Sequence, residues 1–136
     1  MNGRSVQVYS LAKDGGKRLT ANFLVREFRC LDGSDVILVD PELPRLLQKL
    51  RDRFGQPVNI SSAYRTPSHN AKPSVGGSVY SRHLYGTAAD VLTVKGATPA
   101  QMAAFLETLL PDRGGIGVYK WGVHVDTRGE KSRWNG

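Results

Sequence analysis

Ser81-Arg82-His83-Leu84-Tyr85-Gly86-Thr87-Ala88-Ala89-Asp90 is the stretch on which the reading of this chain turns. The run from Ala88 to Val94 reads as a strand, and Gly86 marks a turn just before it. His83 precedes Asp90 across that turn. Downstream, His124-Val125-Asp126 lies in a second short strand, Gly122 to Thr127. Residues two apart in a strand share a face, so Asp126 leans wherever His124 points. Imidazole nitrogen and carboxylate oxygen are both zinc ligands. Two histidines and one carboxylate leave a fourth position for water, the arrangement of a catalytic zinc rather than a structural one. On spacing alone an ordinary polar cluster is the alternative, because such pairs occur by chance in many chains.

Outward from this stretch, two helices are legible. Asp40 is an N-cap and Pro41 suits a first helical position. Leu43, Leu46, Leu47, Leu50 and Phe54 then recur at helical spacing, and Gly55 closes the helix. Thr98-Pro99-Ala100-Gln101 has the form of a capping box with a first-turn proline. Met102, Phe105, Leu106, Leu109 and Leu110 form the apolar face that follows it, and Pro111 stops it. Val58 to Ala63 reads as a strand entering a long polar loop, Tyr64 to about Ser81. Loops of that length are usually functional or disordered. Gly115 to Tyr119 is a further short strand. Phe23, Leu24 and Phe28 form an apolar anchor, and Val36 to Val39 is a short extended piece. The pattern predicts one α+β domain, a small antiparallel sheet with helices packed on it. Residues 1–21 are expected as an N-terminal arm or short strand, and residues 22–136 as the domain proper.

Length and composition agree. The 136 residues suit one domain, and 40% hydrophobic with 23% charged residues is an ordinary globular balance. No apolar run is long enough to span a bilayer, and the first residues show no secretory h-region. The single cysteine, Cys30, excludes an internal disulfide. The net charge of +7 attracts polyanions, whether nucleic acid, lipid headgroups or an acidic cell wall. The basic residues are scattered and no aromatic–basic stripe accompanies them, so nucleic acid is not an expected partner.

Several motifs occur in one order: Ser62-Ala63-Tyr64-Arg65-Thr66, His69-Asn70, Val75-Gly76-Gly77, Ser81 to Asp90, Gly114-Gly115-Ile116-Gly117, and Val123-His124-Val125-Asp126-Thr127-Arg128-Gly129. Together they resemble the zinc D-Ala-D-Ala carboxypeptidase family and its related peptidoglycan peptidases. The likeness is greatest to the short single-domain members found in bacteria and in phage lysis proteins, and it runs from near Asn22 to Trp134. The resemblance implies the fold shared with the Hedgehog signalling domain, a Zn2+ cofactor, and His83, Asp90 and His124 as its ligands. It implies that Arg65 binds the substrate carboxylate or carbonyl, for which the guanidinium fork is suited. Ser81 and Tyr85 are expected near the substrate.

Two departures accompany the likeness. Many members place an acidic base three residues before the last zinc histidine; here Trp121 stands there. Asp126 is the nearest acid and is expected as the proton acceptor, with a purely supporting role behind the ligands as the alternative. Lys72-Pro73-Ser74 lengthens the loop before the glycine pair. The activity implied is hydrolysis of peptide bonds in peptidoglycan, as a carboxypeptidase or stem-peptide endopeptidase, by a monomer. The lack of a leader would fit a phage lysin released from the cytoplasm or carried on the virion. A non-catalytic wall-binding module of the same fold is the rival reading.

Overall fold

A computed structural model describes residues 6–78 and 80–136. The first five residues of the expected arm, and Val79 in the long loop, lie outside the described residues.

The chain begins with β1 (Gln7–Ser10), α1 (Leu11–Asp14), β2 (Arg18–Thr20) and β3 (Phe23–Leu24), then a 3-10 turn at Val25–Phe28. Next come β4 (Val36–Val39), α2 (Glu42–Phe54), β5 (Ile60–Ser62), α3 (Pro67–Asn70) and a second 3-10 turn at Arg82–Tyr85. It ends with β6 (Ala88–Leu92), α4 (Pro99–Leu109), β7 (Gly114–Tyr119), β8 (Gly122–Asp126) and β9 (Lys131–Asn135). Strands β5-β6-β8-β7-β9 form the main sheet in that order, with β1–β4 and β2–β3 as two small antiparallel ribbons. The α+β reading holds. The main sheet is antiparallel except at its far edge, where β9 runs parallel to β7. Its Lys131-Ser132-Arg133-Trp134 sequence lacks an apolar strand face, so β9 was not expected from the sequence.

Alternation along the strands separates the two faces of the sheet. Ala89, Val91, Ile116, Val123 and Val125 are buried on one face and join Leu43, Leu46, Leu47 and Leu50 of α2 and Met102 and Leu106 of α4. Each such side chain contributes about 1.5–3 kcal/mol relative to exposure. The anchor residues Phe23 and Phe28 complete this cluster, their ring centroids 6.4 Å apart. The helix ends behave as their residues dictate. Asp40 Oδ1 accepts the Glu42 N–H (3.0 Å), and Thr98 and Gln101 make the reciprocal capping box. Asp40 also accepts the Thr127 hydroxyl through Oδ2 (2.7 Å), tying the start of α2 to the chain just after β8. Among the described residues no helix is long and apolar enough to cross a membrane.

Candidate functional site

The face of the sheet opposite the helices carries the chemistry. Across the five strands, register places Ser62, Asp90, His124, Gly117 and Trp134 in one transverse row. A second row, one pleat along, runs Ala88, Asp126, Gly115 and Ser132. Asp90 and His124 are thus direct cross-strand neighbours, and His124 Nδ1 lies 3.0 Å from Asp90 Oδ1. The glycines of β7 make room for what flanks them. A Cβ on Gly117 would overlap the Trp134 ring, which sits 5.1 Å from the His124 ring, centroid to centroid. A Cβ on Gly115 would overlap the Asp126 carboxylate.

His83 arrives from outside the sheet. Ser81 caps the 3-10 turn by accepting the His83 N–H (3.3 Å), and Gly86 ends it at φ 73°. That left-handed conformation is cheap for glycine, and any side chain there would run into the Leu38 carbonyl of β4. The turn puts His83 Nε2 3.2 Å from Asp90 Oδ1, with the two imidazoles edge-to-face at 5.3 Å.

Each imidazole is held at its other nitrogen. His83 Nδ1 is 2.6 Å from the Ala63 carbonyl, which can only accept, so Nδ1 carries the proton and Nε2 presents a lone pair. His124 lies between two carboxylates, Nε2 2.8 Å from Asp126 Oδ2 and Nδ1 3.0 Å from Asp90 Oδ1; in the tautomer with its proton on Nε2, Nδ1 presents a lone pair. Two lone pairs and a carboxylate therefore converge, with one ligand atom from each residue within 4.8 Å of the others. Such a set of acceptors calls for a cation, and metal-bound histidines are typically fixed this way through their second nitrogen. The donor set fits Zn2+. Burial opposes the charge of Asp90, but when the two imidazoles are protonated the N–H groups of His124 and His83 outweigh it and hold the carboxyl below the usual range. For His124, burial favours the neutral ring, yet the bonds its protonated form donates to Asp126 and Asp90 raise its pKa above 6.5.

Asp126, expected as proton acceptor, is placed behind His124 rather than in the cleft. It is fully buried. Oδ1 accepts from the Gly115 and Arg128 backbone amides (3.0 and 3.1 Å) and from Arg128 Nε (2.8 Å). Oδ2 accepts from Arg128 Nη2 (2.7 Å) and faces His124. Burial raises its pKa, and the bonds from His124 and Arg128 more than reverse that.

Arg65 stands at the rim of the cluster. It donates to Ser62 Oγ (3.1 Å), Asn70 Oδ1 (3.3 Å) and Asp90 Oδ2 (3.4 Å). The open cleft above these groups has a volume of about 390 Å³ and is lined by Arg65, Ser81, Arg82, His83, Asp90, Tyr119, Trp121, His124, Arg128 and Trp134, among others. Trp121 stacks on Tyr119 at 4.7 Å and forms part of the wall. Tyr85 is half-exposed and does not line the cleft. Asn70, Arg128 and Trp134 were not singled out from the sequence. The first two lie inside quoted motifs, and Trp134 reaches the site only through the parallel pairing of β9.

Comparison with known proteins gives one match. A family model described as Peptidase M15 matches residues 17–126. No curated protein and no solved structure matches the chain. The family match covers every residue of the His83–Asp90–His124 cluster and stops short of Arg128 and β9.

Proposed function

The chain belongs to the peptidase M15 family, and from that premise we propose that it is a zinc peptidase that hydrolyses peptide bonds of peptidoglycan. The observation that carries the reading is the convergence of His83 Nε2, His124 Nδ1 and Asp90 on one point, each imidazole oriented by a partner at its far nitrogen. His83, Asp90 and His124 would hold the ion. When bound, zinc supplies Lewis-acid polarisation of a carbonyl and a water acidic near neutral pH.

The chain's own groups do the rest. Arg65 is free on its cleft side to pair with a substrate carboxylate or a developing oxyanion, since its charge is only partly met by Asp90 at 3.4 Å. Arg128 lies over the Trp134 ring at 5.5 Å, and its fork is spent on Asp126, so it braces rather than binds. We assign Asp126 the role of positioning residue. It holds the proton of His124 at Nε2, and it is buried behind that ring with both its oxygens engaged by Arg128. Trp121, Tyr119 and Trp134 give the cleft an aromatic wall along one side. The +7 charge favours residence on an anionic wall, and that attraction weakens with salt.

A non-catalytic wall-binding role is favoured by one observation. Among the described cleft-lining residues Asp90 is the only carboxylate, and it belongs to the ligand set. Mass spectrometry of the material released from purified peptidoglycan separates the two. A peptidase produces new peptide termini that disappear when zinc is chelated. A folded, zinc-loaded chain that binds wall material of several chemotypes and releases nothing is a binding module.

A further inference from the structure

A second set of metal-ligating groups converges outside the cleft, where the loop after the first 3-10 turn meets α3. Cys30 is fully buried, and its Sγ accepts the Thr66 N–H at 3.5 Å. Asp32, two residues on, takes the Ser34 N–H at Oδ1 (2.8 Å) and the Thr66 hydroxyl at Oδ2 (2.8 Å). His69 lies on α3, whose cap is the same Thr66 hydroxyl, 3.3 Å from the His69 amide. One ligand atom each from Cys30, Asp32 and His69 lies within 4.8 Å of the other two. His69 Nδ1 is enclosed and has no hydrogen-bond partner, which leaves a desolvated polar atom uncompensated.

We propose that Cys30, Asp32 and His69 form a second site for a divalent ion of zinc type, with water as the fourth ligand. Thiolate, imidazole and carboxylate are the mixed soft and borderline donors that select zinc over magnesium or calcium. Binding releases the Cys30 thiol proton to solvent and gives the orphaned imidazole its partner. The ion ties the loop at residues 30–32 to α3. Asn70, the next residue of α3, accepts from Arg65 Nη1 and donates through Nδ2 to the Ser78 carbonyl (2.8 Å). The second site thus braces the loop that borders the cleft.

The test uses Co2+ alone on the full chain. Cys30 is the only cysteine, so any thiolate-to-cobalt charge-transfer band reports this site, and the cleft cluster, which has no sulfur donor, cannot produce one. The expected result is that band at one thiolate per cobalt, with two cobalt ions per chain by elemental mass spectrometry. Cys30→Ser should abolish the band and retain one ion. Because Cys30 is buried and its serine variant can fail to fold, the half-buried His69→Gln and the exposed Asp32→Asn are measured too, each expected to raise the Kd read from the band by at least about tenfold. A folded wild-type chain that binds cobalt with no thiolate band overturns the proposal, as does a band with unchanged affinity in both variants. The result is independent of whether the cleft cluster hydrolyses anything.

Discussion

The two groups of candidate metal ligands differ in how their atoms are held. In the cleft, Asp90 and His124 are opposite members of a strand pair, and each histidine is gripped at its second nitrogen. Beside Cys30, all three ligands come from a loop and a single-turn helix, and one hydroxyl, Thr66 Oγ1, is the common knot. A sheet ladder sets geometry through many backbone bonds at once, whereas a loop site depends on a few side-chain contacts. On the proposed reading, the cleft cluster is in place before an ion arrives. The Cys30 cluster would be completed by its ion.

That contrast can be broken most directly in the cleft. His83→Ala should reduce peptide release from peptidoglycan to the level of a chelated control and remove one zinc per chain, read by product and elemental mass spectrometry. Full activity in that variant would sink the site assignment. Arg65→Ala comes next, with a loss in kcat/KM of about 10²–10³-fold if it meets developing charge. Arg65→Lys should recover only part of it, because the second donor of the fork is missing.

Asp126→Asn sharpens the comparison rather than breaking it. As a positioning residue, Asp126 should affect metal retention first, with zinc Kd rising about 10–100-fold and kcat at saturating zinc nearly preserved. A variant that keeps its zinc affinity and loses turnover by 10²-fold or more would instead make Asp126 the proton acceptor.

The smallest effect is on acid stability. Asp90 and Asp126 both titrate below their ordinary value of 3.8 in the folded chain. Their contribution is present above that value and is lost as pH falls through the folded-state pKa. Metal-free protein should melt at progressively lower temperature below about pH 4. His124 adds the opposite slope at higher pH, since its raised pKa stabilises the chain below 6.5 and that gain fades as pH rises past the folded value. Asp126→Asn should flatten both limbs in thermal melts with chelator present.

Much of the fold was open to reading because it is local. The caps at Asp40 and Thr98 and the leucine spacing of α2 involve neighbours within a few residues, and helices obey such signals. Strands β6, β7 and β8 were legible as apolar alternation. The candidate ligands His83, Asp90 and His124 were picked out because the ordered motifs resemble a known family; spacing alone left an ordinary polar cluster as the alternative, and the structure brings the three together. Strand β9 was not, since its parallel place beside β7 comes from Trp134 lying against Gly117, a contact between distant residues. The meeting of Cys30 with His69 is of the same kind.

The amino-acid sequence by itself determined the two long helices, strands β6, β7 and β8 and the family, because propensity and capping belong to single residues and short spans. The tertiary structure alone decided that β9 pairs parallel to β7, that Asp126 sits buried behind His124, and that Cys30, Asp32 and His69 share one corner. Burial and distance depend on which distant strands and loops pack together, and no local pattern encodes that.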